Sequence, residues 1–175
     1  LVRLSVVDGD RLTWVARAQG ARQGLRYDPD MGSIARLSCS SSGWAWLSTL
    51  KDDDALALIS KQGVGSAKEF GPNAPSSLKA VLKALQETRK QGFALTEETY
   101  TPGLNAIAAP VGLVGQLPMG TISVAGPSAR LTRERMLAIA PDLLSCAAQL
   151  AAASGASPLL ARGSANVRLQ PIYAA

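Results

Sequence analysis

The sequence predicts a single α+β domain. Two observations carry that reading. The apolar periodicities run strand hairpin, helices, strands and then one long helix, without the regular βαβα alternation of a parallel sheet. The chain has 175 residues, 47% hydrophobic and 18% charged, which is enough for one sizeable core and unlike a disordered segment.

Each element has a local reason. Val2, Leu4 and Val6 alternate with Arg3 and Ser5, the pattern of a strand with one buried face. Asp8-Gly9-Asp10 is a tight-turn signal, and Leu12, Trp14, Ala16 and Ala18 resume the alternation, so a β-hairpin is expected. Leu25-Arg26-Tyr27 is read as a short third strand. The run Ser38-Cys39-Ser40-Ser41-Ser42-Gly43 precedes Trp44-Ala45-Trp46-Leu47, and serines ahead of an apolar run mark a helix N-terminus. Asp52, Asp53 and Asp54 open a second helix, their charges placed favourably in its first turn, and Gly63 ends it.

Pro75-Ser76-Ser77 opens a third helix, in which Leu78, Val81, Leu82 and Leu85 share one face, and Gln91-Gly92 stops it. Strands are expected over residues 93–98, 104–113 and 120–125, with Gly126-Pro127-Ser128 as a turn. Thr132 then begins a helix to about Ala153, with Met136, Ile139, Leu143, Ala147 and Leu150 on its buried stripe. Pro141 inside it is expected to kink or split the helix. Residues 155–175 read as a tail.

The composition excludes much chemistry. There is no histidine, hence no Ser-His-Asp or Cys-His machinery and no histidine zinc site. Cys39 and Cys146 are far apart and form no CxxC. The first ten residues read as strand and not as a signal peptide, so a reducing cytoplasm and free thiols are expected. No run of about 20 uninterrupted apolar residues marks a membrane span. The formal net charge of +5 invites a nucleic-acid reading, but Asp8, Asp10, Asp28 and Asp30 are interspersed among the N-terminal arginines. That segment reads as a solvated face. The chain begins at Leu1, so a further domain upstream is expected.

Few residues suggest catalysis. Ser48-Thr49-Leu50-Lys51 and Ser76-Ser77-Leu78-Lys79 both match SxxK, a nucleophile-base spacing. A chain with 17 serines and 6 lysines produces such matches by chance. Glu97-Glu98 are strand neighbours and point to opposite faces. Gly63-Val64-Gly65 lacks the strand context of a dinucleotide site. Cys39 reads by default as a small buried thiol. No catalytic residue, metal ligand or cofactor is assigned. The serine run is the better candidate: a helix N-terminus with Ser40, Ser41 and Ser42 can hold a small carboxylate, and Trp44 or Trp46 can wall a pocket. A plain capped helix with core tryptophans is the competing reading.

Three later blocks bear on that choice. They are Gly92-Phe93-Ala94-Leu95-Thr96-Glu97-Glu98, Gly103-Leu104-Asn105-Ala106-Ile107-Ala108-Ala109-Pro110-Val111, and Ile122-Ser123-Val124-Ala125-Gly126-Pro127 with Arg130-Leu131-Thr132. With the earlier small-residue run and Gly43, their order and spacing resemble the effector-binding domain of IclR-type transcriptional regulators, over roughly residues 1–154. The resemblance implies a GAF-like α+β fold, a curved antiparallel sheet flanked by helices, with a pocket on its concave side. It also implies a winged helix-turn-helix DNA-binding domain upstream, a homodimer or homotetramer, and a small organic acid or aromatic catabolite as effector. The positions it carries over are Ser40, Ser41, Ser42, Thr96, Ala106, Ser123 and Ala125. Members that bind small 2-oxo acids tend to have an acidic residue, a thiol and a second serine where this chain has Thr96, Ala106 and Ala125. A less polar pocket without a dedicated Arg or Lys is therefore expected, suited to a larger or partly aromatic acid.

The leading expectation is thus a cytoplasmic, non-enzymatic sensor that shifts operator binding through its effector. The alternative is a GAF-like binding module serving another output, or a small hydrolase using the same pocket.

Overall fold

The structure is a computed structural model and describes all residues except 21–26, 28, 30, 66–68, 114, 155–170 and 173–175. Strands β1 (Val2–Asp8) and β2 (Arg11–Ala18) form the expected hairpin, closed by Gly9 at a φ of 60°. Helices α1 (Ser41–Leu47), α2 (Asp52–Gln62) and α3 (Leu78–Gln91) follow. Strands β3 (Ala94–Glu97), β4 (Leu104–Val111) and β5 (Gly120–Pro127) lead into α4 (Arg133–Ala153). The five strands make one antiparallel sheet in the order β2-β1-β5-β4-β3. The domain is α+β, as the element order predicts.

Both sheet faces are covered, and this changes the reading of β1. Val2 and Leu4 pack against the α4 layer, which is built from Met136, Ala140, Leu143, Ala147 and Ala151 over Ile107, Ala109 and Ile122. Arg3, Ser5 and Val7 point the other way and are the fully buried set. That second face packs under α1, α2 and α3 through Leu12, Trp14, Trp44, Trp46, Leu47, Ile59, Val81 and Leu85. Alternation alone says that one face of β1 is apolar; it does not say that the polar face is also roofed. A bulge helps to place it. Leu4 pairs with Ala16 and Ser5 with Trp14, leaving Val15 as the extra, exposed residue.

The helix ends follow their local chemistry. Ser77 accepts from the Ala80 N–H at the start of α3, and Gly92 ends it at a φ of 81°, where only glycine is unstrained. Thr132 caps α4 in the same way, accepting from the Arg135 N–H. Of the expected kink or split at Pro141, the split is not there: α4 runs as one helix through it. Pro141 costs one intrahelical bond, to the Leu137 carbonyl, and the side chain of Leu137 is exposed, so this face of the helix is open to solvent. By length and hydropathy α4 is also apolar enough to cross a membrane, yet one stripe of it is the lower layer of this core.

Residues 25 and 26 of the predicted third strand and most of the predicted tail lie outside the described residues, and Tyr27 is not in a strand. Of the tail, Pro171 pairs with Leu50, and Ile172 donates its N–H to the Thr49 carbonyl at 2.9 Å.

Arg89 staples α3 to the turn after α1. Its Nε donates to the Ser48 carbonyl, Nη2 to the Leu50 carbonyl and Nη1 to Asp52, at 2.9, 2.9 and 2.6 Å. Its side chain is 14% exposed, whereas Asp52 is 45% exposed, so the two carbonyl bonds matter more than the ion pair. Arg89→Ala is expected to lower unfolding stability by about 3 kcal/mol, chiefly from the two orphaned carbonyls. Urea unfolding of the two proteins measures it.

Candidate functional site

The sheet carries a depression on the face that packs under α1. In the register, Thr96 on β3 lies opposite Ala106 on β4, and Ala106 opposite Ala125 on β5. Three small side chains in adjacent strands leave a shallow floor, since neighbouring strands lie only about 4.8 Å apart. The N-terminal end of α1 forms the roof. Ser40 caps it, accepting from the Gly43 N–H at 3.0 Å while its own hydroxyl donates to the Arg36 carbonyl at 2.5 Å. Between floor and roof is a cavity of about 20 Å³. It is bordered by Arg3, Tyr27, Tyr100 and Asn105 together with Ser40, Ser41, Thr96, Ala106 and Ala125.

Arg3 dominates its electrostatics. It is 5% exposed, and its guanidinium lies 3.9 Å over the Trp14 ring and 5.5 Å from that of Tyr27. Burial pushes its pKa below the ordinary value, and the neighbouring Tyr27 and Tyr100 partly offset that shift. An arginine stays cationic at neutral pH all the same. Among the described residues its buried Nε and Nη1 find no hydrogen-bond partner, while a side-chain hydrogen bond with Tyr27 supports the charge. Trp14 Nε1 and Asn105 Oδ1 are likewise unpartnered among the described residues. A buried cation with unused donors is costly unless something anionic completes it.

The candidate residues separate into two groups. Ser40, Ser41, Thr96, Ala106 and Ala125 border the cavity. Ser41 is buried there, whereas the Ser40 hydroxyl is already committed to Arg36. Thr96 Oγ1 donates to the Ala106 carbonyl at 3.2 Å. Ser42, Trp44, Trp46 and Ser123 do not border it. Trp44 donates its Nε1–H to the Ser38 carbonyl at 2.9 Å, and Trp46 is 1% exposed in the core. Ser123 is buried in the sheet beside the Arg3 backbone.

The carried-over positions alone suggest a cavity free of charged side chains, but Arg3, outside those positions, borders it. The expectation of spare room around Ala106 and Ala125 is corrected. Arg3, Tyr27 and Tyr100 share that space, leaving about one water's volume. Arg3 does not stand out in the sequence, because β1 reads there as a strand with one buried face. The available signal was the period-2 set Arg3, Ser5 and Val7, which ends in an apolar residue.

The remaining motifs lie elsewhere. Ser48 donates its hydroxyl to the Ala45 carbonyl, Lys51 is exposed, and Ser76 and Lys79 are both exposed. Glu97 accepts from Arg133 at 2.8 Å, while Glu98 at a φ of 52° accepts from the Gly103 N–H at 2.8 Å, so the two carboxylates face different tasks. Cys39 is buried and its thiol is pushed up to about 11, chiefly by burial. Its protonated form is favoured in the folded state, so its contribution to stability is full below pH 9 and is lost as pH rises towards 11. At pH 8 a thiol reagent is expected to label only the exposed Cys146 in the native domain, and Cys39 only after unfolding.

Fold and cavity define a single-sheet α+β domain with a small cationic chamber between sheet and helix. The chain belongs to the IclR family: the family model described as bacterial transcriptional regulator IclR C-terminal matches residues 1–152. The chain is similar to the HTH-type transcriptional repressor AllR of Salmonella paratyphi A, with 25% identity over 160 residues, covering 91% of this chain and 57% of the repressor. It thus spans little more than half the length of that relative. Among solved structures it resembles an IclR transcriptional regulator from Alicyclobacillus acidocaldarius, at a TM-score of 0.74 and 20% identity, covering 86% of this chain and 59% of that one. It also resembles the inducer-binding domain of the PobR transcription factor from Acinetobacter, a double mutant in complex with 3-hydroxybenzoic acid. That match has a TM-score of 0.72 and 23% identity, covering 85% and 86% of the two chains.

Proposed function

We propose that residues 1–154 are the effector-sensing domain of a DNA-binding transcriptional regulator, and that the effector is a small organic acid whose carboxylate pairs with Arg3. The observation that carries this reading is the buried guanidinium with two unused donors at the edge of a cavity. A carboxylate is the ligand that offsets both costs at once, the burial of the charge and the idle Nε and Nη1 groups. The Ser41 hydroxyl on the roof offers a further polar contact, and Ala106 and Ala125 receive the carbon skeleton. PobR, a protein of the same fold, is seen holding a carboxylic acid, which supports the class of ligand.

On this reading the domain performs no catalysis. Acid binding shifts a conformational equilibrium by a coupling of about 1–3 kcal/mol, and a winged helix-turn-helix domain outside this chain reads the operator. The whole regulator works in the cytoplasm as a homodimer or homotetramer.

A thermal-unfolding panel of short carboxylates and their neutral amides tests it. At about 100 times its dissociation constant, a bound acid stabilises the domain by about 2.7 kcal/mol, whereas the matching amide leaves Tm unchanged. Amides that stabilise equally well would refute the Arg3 assignment. Ser123→Ala is expected to keep the full acid response, because its hydroxyl is spent inside the sheet.

A further inference from the structure

We propose that Phe70 sets the upper size limit of the acid admitted to the Arg3 cavity, and that it does so by holding Tyr100 in place. This rests on the effector reading above.

The cavity has room for about one water, so even a short acid enters only if a wall gives way. Most walls are fixed. Arg3, Thr96, Ala106 and Ala125 sit on paired strands, and Ser40 and Ser41 belong to the start of a helix that is buried along its whole length. Tyr27 and Tyr100 come from outside the helices and strands. Among the described residues, Tyr100 is held from behind. Its ring stacks on Phe70 with centroids 5.8 Å apart and 22° between planes, and Trp14 tilts against it at 6.1 Å.

Phe70 is itself anchored. Beyond it, the Arg36 guanidinium lies 5.3 Å from its ring, and Arg36 Nη1 donates to the Gln62 carbonyl at 3.0 Å. The backbone after Phe70 is tied to the corner that carries Tyr100. Gly71 donates to the Thr99 carbonyl at 3.1 Å and Asn73 to that of Glu98 at 3.3 Å, while Asn73 Nδ2 donates to the Glu97 carbonyl at 2.9 Å. Tyr100 is therefore clamped between two rings. Removing the Phe70 ring opens the outer side of the clamp and lets Tyr100 swing away from the cavity floor. Phe70 touches no ligand on this account; it is a positioning residue.

Calorimetric titration of acetate, butyrate and benzoate into the wild-type chain, Phe70→Ala, Phe70→Leu and Phe70→Tyr tests this. The wild type is expected to bind the small acids and to discriminate against benzoate. Both ring-less variants are expected to reduce that discrimination by at least about tenfold, the scale on which a methylene-sized change in pocket space acts. Phe70→Tyr, which keeps the stack, is expected to retain the wild-type ratio. A structural role alone would weaken all acids together and leave the ratio unchanged, and that outcome overturns the proposal. Identical wild-type and variant ratios, with acids bound, sink only this inference. No binding of any acid to wild type or variants sinks the effector reading as well.

Discussion

Arg3→Met is expected to cut the acid-induced stabilisation from about 2.7 to about 0.3–1.4 kcal/mol at an acid concentration of about 100 times the wild-type dissociation constant, while leaving the ligand-free domain close to wild-type stability. The two halves of that result have separate causes. A hydrogen bond to a charged group contributes about 1.5–3 kcal/mol, so losing the guanidinium weakens acid binding by roughly 10- to 150-fold. The ligand-free protein feels opposing effects. Replacing a buried charge that has idle donors with an apolar side chain of similar reach removes its desolvation cost, which favours the variant. Against this, the variant loses the stacking of Arg3 on Trp14 at 3.9 Å, an interaction of about 2 kcal/mol when desolvated. Calorimetry with and without a saturating acid separates the two. If Arg3→Met still gains the full 2.7 kcal/mol at about 100 times the dissociation constant, the carboxylate is not at Arg3.

Gly43→Ala is expected to do the reverse, lowering the stability of the whole domain and losing acid binding with it. A Cβ on Gly43 would lie 2.6 Å from the Leu37 Cα, 2.7 Å from its carbonyl oxygen and 2.8 Å from that of Arg36. All three are backbone atoms, which cannot turn aside as a side chain can. Helix α1 must then lift off residues 36–37. Every residue from Ser41 to Leu47 is buried, so the shift disturbs the core directly. A cost of about 3 kcal/mol or more is expected, the upper range for overpacking. The same movement pulls the Ser40 cap from the Arg36 carbonyl, and with it the roof of the cavity. Gly9→Ala is the control. It has a positive φ but nothing within 4 Å, so only the backbone penalty of about 1 kcal/mol applies. Urea unfolding of the three proteins gives the ranking, and near-equality of Gly43→Ala and Gly9→Ala would show that α1 does not sit as tightly as described.

These two variants mark the boundary between what local sequence rules reach and what they do not. The caps at Ser40, Ser77 and Thr132, the stop at Gly92 and the hairpin turn at Gly9 are each written in a few consecutive residues. Their physics is short-ranged: a side-chain oxygen meets an unpaired N–H within one turn, or a glycine takes a positive φ. Ser40 and Ser41 are legible as candidates because a helix N-terminus carries unpaired N–H groups, whereas Thr96, Ala106 and Ala125 enter only as positions that the family resemblance implies.

Trp44 and Trp46 show where that reading stops. They directly follow the serines in sequence, but successive helical residues turn by about 100°, and both rings rotate into the core and away from the cavity. Ser123 shares a sheet face with Ala125, yet its place beside Arg3 on β1 seals it under the backbone.

The sequence by itself determined the class of fold, the order of its elements and the absence of histidine chemistry, because composition and periodicity are properties of the chain alone. Only the tertiary structure decided that the chamber is cationic. Arg3 faces Ala125 and Tyr100 because β1 pairs with β5 across more than a hundred residues, and because α1 and α4 cover both faces of the sheet. A strand's alternation says which side chains share a face. What lies over that face, and whether an arginine there meets water or an enclosed cavity, depends on elements far away in sequence.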